Sequence, residues 1–285
     1  MIPAAFDYTR PSTVDEAVRA LADGGEDAKV LAGGQSLIPV LRLRLAAPSV
    51  LVDLGGVGEL RGVRDDGDAL VIGATTRHAD VLRDPLIAEH APLLAQATET
   101  VADRQVRHLG TLGGSLSHAD PAGDLPSVAV ALDASFGIAG PGGRRTVPAS
   151  EFFVDFLTTA LAPDEVLVSV RVPKRPGWTT HYEKFNRVAQ AWAIVGVAAA
   201  VRRENGSIAE ARVALTNMGS TPIRASGVEE ALAGAPATVD AVASAAGRAA
   251  EGADPPSDVF ASADYRRHLV TVLTRRAVVS AGGIS

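Results

Sequence analysis

The chain is 285 residues long, 47% hydrophobic and 21% charged, which gives enough apolar material for a substantial core and enough length for two domains. Its 33 acidic residues outnumber 27 basic ones for a net charge of −6, and no run of lysine and arginine is dense enough to track polyphosphate, which argues against a nucleic-acid partner. Cysteine is absent, which excludes disulfides, thiolate metal sites and a cysteine-bound iron–sulfur cluster on this chain.

The first residues lack a basic region followed by an apolar stretch, and no apolar run reaches bilayer length, so the expectation is a cytoplasmic protein without a membrane span. Residues 6–8 read as a short edge strand. Thr13 and Glu16 occupy capping-box positions for a helix expected to stop at Gly24-Gly25. Residues 29–32 read as a buried strand entering a glycine pair, and Leu37, Ile38, Val40, Leu41 and Leu45 have the spacing of a helix lying on a core. Residues 50–54 form the next strand, and segments 60–63 and 70–72 flank the turn Asp65-Asp66-Gly67. Thr75 or Thr76 is placed to cap a helix carrying Ala79, Val81 and Leu82, and a longer helix is expected over 93–101.

After a loop at 110–126, residues 127–132 read as a buried short helix. Segments 135–139 and 146–147 bracket the turn Gly140-Pro141-Gly142-Gly143 as a hairpin, and 166–172 is the last strand of this half. Pro173-Lys174-Arg175-Pro176-Gly177 is the expected boundary. Beyond it, 182–185, 193–201 and 208–215 read as strands, the last two joined by Asn205-Gly206. Segments 228–232, 239–250 and 265–279 have helical spacing, so a small antiparallel sheet covered by helices is expected.

Two segments share one grammar: a short apolar run, a glycine pair, a hydroxyl and a renewed apolar run. They are Val30-Leu31-Ala32-Gly33-Gly34-Gln35-Ser36-Leu37 and Gly110-Thr111-Leu112-Gly113-Gly114-Ser115-Leu116. Paired glycines let a backbone pass through positive φ and bring bare N–H groups against phosphate oxygens, so two such loops are suited to clamping one diphosphate. Neither matches Gly-x-Gly-x-x-Gly or Gly-x(4)-Gly-Lys-Ser/Thr, which disfavours the two common nucleotide folds. The plainer reading is glycines serving tight turns.

These residues, with the following His118-Ala119-Asp120-Pro121-Ala122-Gly123-Asp124-Leu125-Pro126, resemble the two FAD signatures of the medium, flavin-carrying subunit of the molybdenum hydroxylases, the family of carbon monoxide dehydrogenase and xanthine dehydrogenase. Tyr182-Glu183-Lys184-Phe185 followed by Ala193-Ile194-Val195 resembles the start of that subunit's C-terminal domain, and the likeness runs nearly end to end. Ser115 departs from it, standing where the family usually has asparagine.

The resemblance implies an α+β fold: a two-part FAD-binding domain of the PCMH/vanillyl-alcohol-oxidase type with two α/β subdomains over 1–175, then a C-terminal flavoprotein-subunit domain over 178–285. It implies non-covalent FAD held by Ala32, Gly33, Gly34, Gln35, Ser36, Thr111, Gly113, Gly114, Ser115, Asp124 and Lys184, with no catalytic or metal-binding residue on the chain. Backbone N–H groups of both loops would cradle the diphosphate, with hydroxyls from Ser36 and Thr111. Asp124 would accept from cofactor hydroxyls or else cap a helix, and the Lys184 cation would stabilise the anionic reduced flavin or else face solvent. The implied activity is oxidoreductase: electrons taken from partner [2Fe-2S] centres and passed to an external acceptor. The implied partners are an iron–sulfur small subunit and a molybdopterin large subunit, in a dimer of heterotrimers, which carry the [2Fe-2S] and molybdenum cofactors. The alternative is a metal-dependent hydrolase using His118, Asp120 and Asp124. Trp192, Tyr182 and Phe185 are read as core residues.

Overall fold

The structure is a computed structural model, and it describes residues 2–285. The first layer is a three-stranded parallel sheet in the order Asp7–Thr9, Val50–Asp53, Ala28–Leu31, with the expected edge strand at its margin. Helix Val14–Gly24 buries Val14, Ala17, Val18 and Leu21, the i, i+3, i+4, i+7 stripe. Burying each valine or leucine there stabilises the helix by about 1.5–3 kcal/mol. Thr13 caps it by accepting from the Glu16 amide, but the Glu16 carboxylate returns to the amide and hydroxyl of Ser12, one residue earlier than the expected box. The helix stops at Gly25, whose φ of 62° favours glycine.

Helix Leu37–Arg42 is shorter than its apolar spacing predicts. Leu41 is its one buried residue, while Ile38 is 38% and Leu45 75% exposed. The cause is Arg44, whose φ of 58° turns the chain out before Leu45 can reach the core.

The second layer is a five-stranded antiparallel sheet in the order Val63–Asp65, Ala69–Gly73, Val166–Pro173, Ser135–Gly140, Gly143–Pro148. Neither Thr75 nor Thr76 caps helix His78–Val81, which starts at Arg77 without a side-chain cap. Their hydroxyls donate instead to the carbonyls of Leu60 and Gly62, tying this turn to the preceding segment. The stretch expected as a loop at 110–126 contains helix Leu112–His118 and the start of helix Asp124–Ala131. All eight residues of the latter are buried, because it lies between helix Pro92–Glu99 and the C-terminal sheet.

The C-terminal sheet runs Trp178–Phe185, Val195–Glu204, Ser207–Thr216, Ile223–Arg224, all antiparallel. Asn205 and Gly206 take φ of 49° and 80°, the two positive values that a two-residue hairpin of type I′ requires. Val195, Val197, Ala199 and Val201 pack toward Leu269, Val270 and Leu273 of helix Ala263–Gly282, while Ala198, Ala214 and Tyr182 join the core formed with Leu125 and Val128. The sheet is thus covered on one face by helices Ser226–Leu232, Val239–Ala246 and Ala263–Gly282, and on the other by helices from the first half. Asp133, just past helix Asp124–Ala131, accepts from Arg175, Arg212 and Arg224 and so pins the sheet to that helix.

Candidate functional site

A cleft of about 740 Å³ opens between the 32–37 segment, the start of helix Leu112–His118, the 157–167 strand and loop region, and the end of strand Trp178–Phe185. All eleven residues expected at a cofactor site line it, although they come from segments as far apart as residues 32 and 184. A concave, mostly apolar cleft with a few convergent polar groups is the usual form of a cofactor site.

The first glycine pair behaves as its sequence suggests. Gly34 has φ 72°, and a Cβ on Gly33 would stand 2.3 Å from the Leu109 carbonyl oxygen and 2.7 Å from the Gly110 Cα, so the two glycine segments meet backbone to backbone. None of the amides of Gly33, Gly34, Gln35 and Ser36 donates to an acceptor among the described residues. The Gln35 side chain folds back on the Gly33 carbonyl at 3.0 Å, and the Ser36 hydroxyl makes no capping bond. Successive uncommitted N–H groups of this kind form a concave anion site.

The second pair does not share that role. Gly113 and Gly114 are helical, without positive φ, and their amides are already used: Gly113 donates to the Ala74 carbonyl at 2.8 Å and Gly114 to the Thr111 hydroxyl at 3.1 Å. Ser115 likewise donates to the Thr111 carbonyl. The amide cradle expected from both loops is therefore offered by the first alone. Gly113 is small for packing, since a Cβ would lie 2.6 Å from Ala74. From this segment Thr111, Gly113, Gly114, Ser115, Ser117 and His118 line the cleft.

Asp124 is the first residue of its helix, with Gly123 at the cap position, so its carboxylate is free of capping. Oδ2 accepts from Lys184 Nζ at 2.8 Å and Oδ1 from the Tyr182 hydroxyl at 2.8 Å; Lys184 also donates to the Thr100 carbonyl at 3.1 Å. Tyr182 and Ser127 both reach Thr216, completing a buried polar network. Burial raises the Asp124 carboxyl above its ordinary range, against the pull of the Lys184 ammonium and the Tyr182 hydroxyl, and burial likewise pushes the Tyr182 phenol well up. The solvent-facing reading of Lys184 is overturned: its side chain is 5% exposed, and two of its three N–H donors are committed inward.

The hydrolase alternative fails on the same geometry. His118 Nε2 stands 4.0 Å from Asp120, but Asp124 is committed to Lys184 and Tyr182, and among the described residues no three acidic, histidine or cysteine groups converge on a metal position. Of the three aromatics read as core, Tyr182 is buried, whereas Phe185 is 36% and Trp192 54% exposed. Trp192 lines the cleft, on a segment tethered by Gln190 to Asp103. The sequence reading also missed His78, a buried cleft residue whose Nδ1 has no partner. No local signal marks it: it follows the polar Thr76 and Arg77 at the start of a short helix, His78-Ala79-Asp80-Val81, of mixed polarity.

Comparison with known proteins decides the family. Residues 4–175 match the model of the FAD binding domain in molybdopterin dehydrogenase, and residues 180–281 that of the CO dehydrogenase flavoprotein C-terminal domain. The chain belongs to the FAD-binding medium subunits of the molybdenum hydroxylases. The carbon monoxide dehydrogenase medium chain of Hydrogenophaga pseudoflava is 41% identical over 284 residues, 99% of this chain and 98% of that one. The 6-hydroxypseudooxynicotine dehydrogenase complex subunit alpha of Paenarthrobacter nicotinovorans is 38% identical, covering 99% and 96%. Among solved structures, carbon monoxide dehydrogenase from Hydrogenophaga pseudoflava lacking the Mo-pyranopterin moiety superposes with a TM-score of 0.97 at 42% identity over 99% of both chains. As a medium subunit the protein is a component of an oxidoreductase with an FAD-binding domain, and the molybdenum and iron–sulfur cofactors belong to other subunits.

Proposed function

We propose that this medium subunit holds FAD non-covalently in the cleft and relays electrons from the [2Fe-2S] centres of a small partner subunit to an external acceptor. The observation that carries the reading is the run of four uncommitted amides, Gly33 to Ser36, facing a cleft that also contains the Lys184 ammonium. FAD, when bound, supplies a redox centre able to take electrons singly and release them in pairs. The chain's own residues supply position and field. Ala32, Gly33, Gly34, Gln35 and Ser36 hold the diphosphate oxygens, and Thr111, Gly113, Gly114 and Ser115 form the wall against which the dinucleotide lies. Lys184, fixed by Asp124 and Thr100, biases the cleft toward negative charge on the flavin.

With no cysteine, the chain cannot bind an iron–sulfur cluster through thiolates, so electrons reach it from an iron–sulfur small subunit, and substrate is oxidised on a molybdopterin large subunit. The relatives' different substrates at similar identity support placing substrate choice on that large subunit. We place the division between a PCMH-type FAD domain, 1–175, and the C-terminal domain, 178–285, at the proline-rich connection, in line with the two matched segments. The assembly is a dimer of heterotrimers in the cytoplasm. No helix among the described residues is long and apolar enough to cross a membrane. Phe156 and Leu157, 61% and 45% exposed at the tip of the Phe153–Asp155 and Thr158–Thr159 hairpin beside the cleft, suit a permanent interface.

The test is purification of the native assembly through a tag on this chain. The expected result is co-purification of two larger-complex partners, yellow colour released to the supernatant by acid, and rapid bleaching when reductant is supplied through the partners. Flavin retained in the acid pellet refutes non-covalent binding, and no flavin after reconstitution refutes the reading as a whole.

A further inference from the structure

His78 is 3% exposed and lines the cleft. Its Nδ1 is buried and has no hydrogen-bond partner; Nε2 makes no bond within the chain either, but it is not among the enclosed unpartnered atoms, so it is the ring nitrogen that reaches the cleft. The ring is held in place by its backbone. The His78 amide donates to the Gly110 carbonyl at 2.9 Å, and a Cβ on Gly110 would stand 2.9 Å from Cδ2 and 3.2 Å from Nε2, so the Nε2 edge lies directly on Gly110. Gly110 in turn touches Gly33, at the start of the run of uncommitted amides.

Burial, with Arg107 nearby, lowers the His78 imidazole from 6.5 to about 4, so the ring is neutral at physiological pH. A neutral imidazole carries one N–H. An enclosed bare nitrogen lone pair costs less than an enclosed unpaired N–H, which favours the tautomer with its proton on Nε2. That leaves a directional, uncharged donor at the cleft surface with nothing in the chain to receive it.

We propose that His78 is a binding residue for the cofactor, its Nε2–H donating to a diphosphate oxygen of FAD beside the amides of Gly33 to Ser36. The proposal rests on the reading of the cleft as the FAD site. It is tested by titrating the flavin-free full chain with FAD and with ADP, in the wild type and in His78→Leu, His78→Gln and His78→Asn. Glutamine sets an amide N–H near the place of Nε2, whereas asparagine reaches only the place of Nδ1. Hydrogen bonds to charged acceptors imply a loss of roughly 10- to 100-fold in affinity for both ligands in His78→Leu and His78→Asn, with most of it recovered in His78→Gln.

Wild-type protein that takes up no FAD sinks the reading of the cleft itself. Wild-type binding with His78→Leu equally tight overturns the proposal alone. Weakened FAD with unaltered ADP overturns the diphosphate as acceptor, and rescue by asparagine instead of glutamine overturns the Nε2–H assignment. Melting temperatures of the flavin-free forms report folding. Should the leucine variant fail to fold, the ring ¹H–¹⁵N spectrum of the wild type decides: an Nε2–H resonance that shifts and resists exchange on adding FAD supports the contact, and an unmoved one overturns it.

Discussion

Lys184 Nζ lies 2.8 Å from Asp124 Oδ2 with both side chains about 95% buried, so one ion pair joins the end of strand Trp178–Phe185 to the first turn of helix Asp124–Ala131 at the edge of the cleft. A charge left alone there has no water to turn to. Asp124→Ala is expected to destabilise the protein by about 3–5 kcal/mol, because it strands the ammonium. The double variant Asp124→Ala, Lys184→Met removes both charges and is expected to cost far less than the sum of Asp124→Ala and Lys184→Met made singly. Urea unfolding of the wild type, the two single variants and the double variant measures this; additive losses would mean that the pair is not coupled.

The same pairing limits how strongly Lys184 acts on a flavin. A free ammonium contributing about 1.5–3 kcal/mol would raise a two-electron potential by roughly 30–65 mV, but once the ammonium is removed the Asp124 carboxyl, already raised by burial, takes up a proton and offsets part of the lost positive charge. Lys184→Met is therefore expected to lower the flavin potential by about 30 mV, the lower end of that range, and to change affinity less. Potentiometric titration of the reconstituted protein reads the shift, and no shift with flavin bound would remove Lys184 from the site.

The two glycine pairs are expected to respond differently to substitution. A Cβ on Gly33 meets backbone at 2.3 Å, which cannot rotate away, whereas a Cβ on Gly114 meets only the Thr111 hydroxyl, at 2.7 Å. Gly33→Ala should therefore separate the two segments and abolish FAD uptake, while Gly114→Ala should cost about 1 kcal/mol through the weakened Thr111 cap and keep the flavin. Ser115→Asn, on the half-buried wall, should be tolerated. Flavin content per chain after purification, with melting temperature, separates these outcomes.

Acid stability should carry the signature of His78. Its folded value is lowered from 6.5 to about 4, so between those values the unfolded chain binds the extra proton and stability rises with pH. The penalty is absent above pH 6.5 and complete below pH 4, where it amounts to about 3 kcal/mol. His78→Leu lacks it. Between pH 7 and pH 4 the flavin-free wild type should lose about 3 kcal/mol more than the variant, read from urea midpoints at each pH; parallel losses would show that the ring protonates freely.

What the sequence determined by itself is the part of the molecule governed by neighbours along the chain. Thr13 before an apolar stripe, Gly24-Gly25 after it and Asn205-Gly206 between two apolar runs fix backbone angles and hydrogen bonds within a few residues, and each stands where those residues put it. The motifs also sufficed to name the family and to gather eleven residues that do line one cleft. The roles of those residues were a different matter, because partners distant in sequence decide them. Gly113-Gly114 has the same letters as Gly33-Gly34, yet it is helical and its amides are spent, one on the Ala74 carbonyl and the other on the Thr111 hydroxyl. Thr75 and Thr76 bond back to Leu60 and Gly62 instead of capping a helix. Trp192, as apolar as any core residue, stands half exposed at the cleft mouth. Lys184 finds its counter-charge 60 residues away, and the His78 ring fits where it does because Gly110 puts no side chain against it. Local torsions and capping bonds form within a few residues, so composition and spacing can specify them; burial and the pairing of charges depend on which distant segments the completed core brings together, and only the tertiary structure decides that.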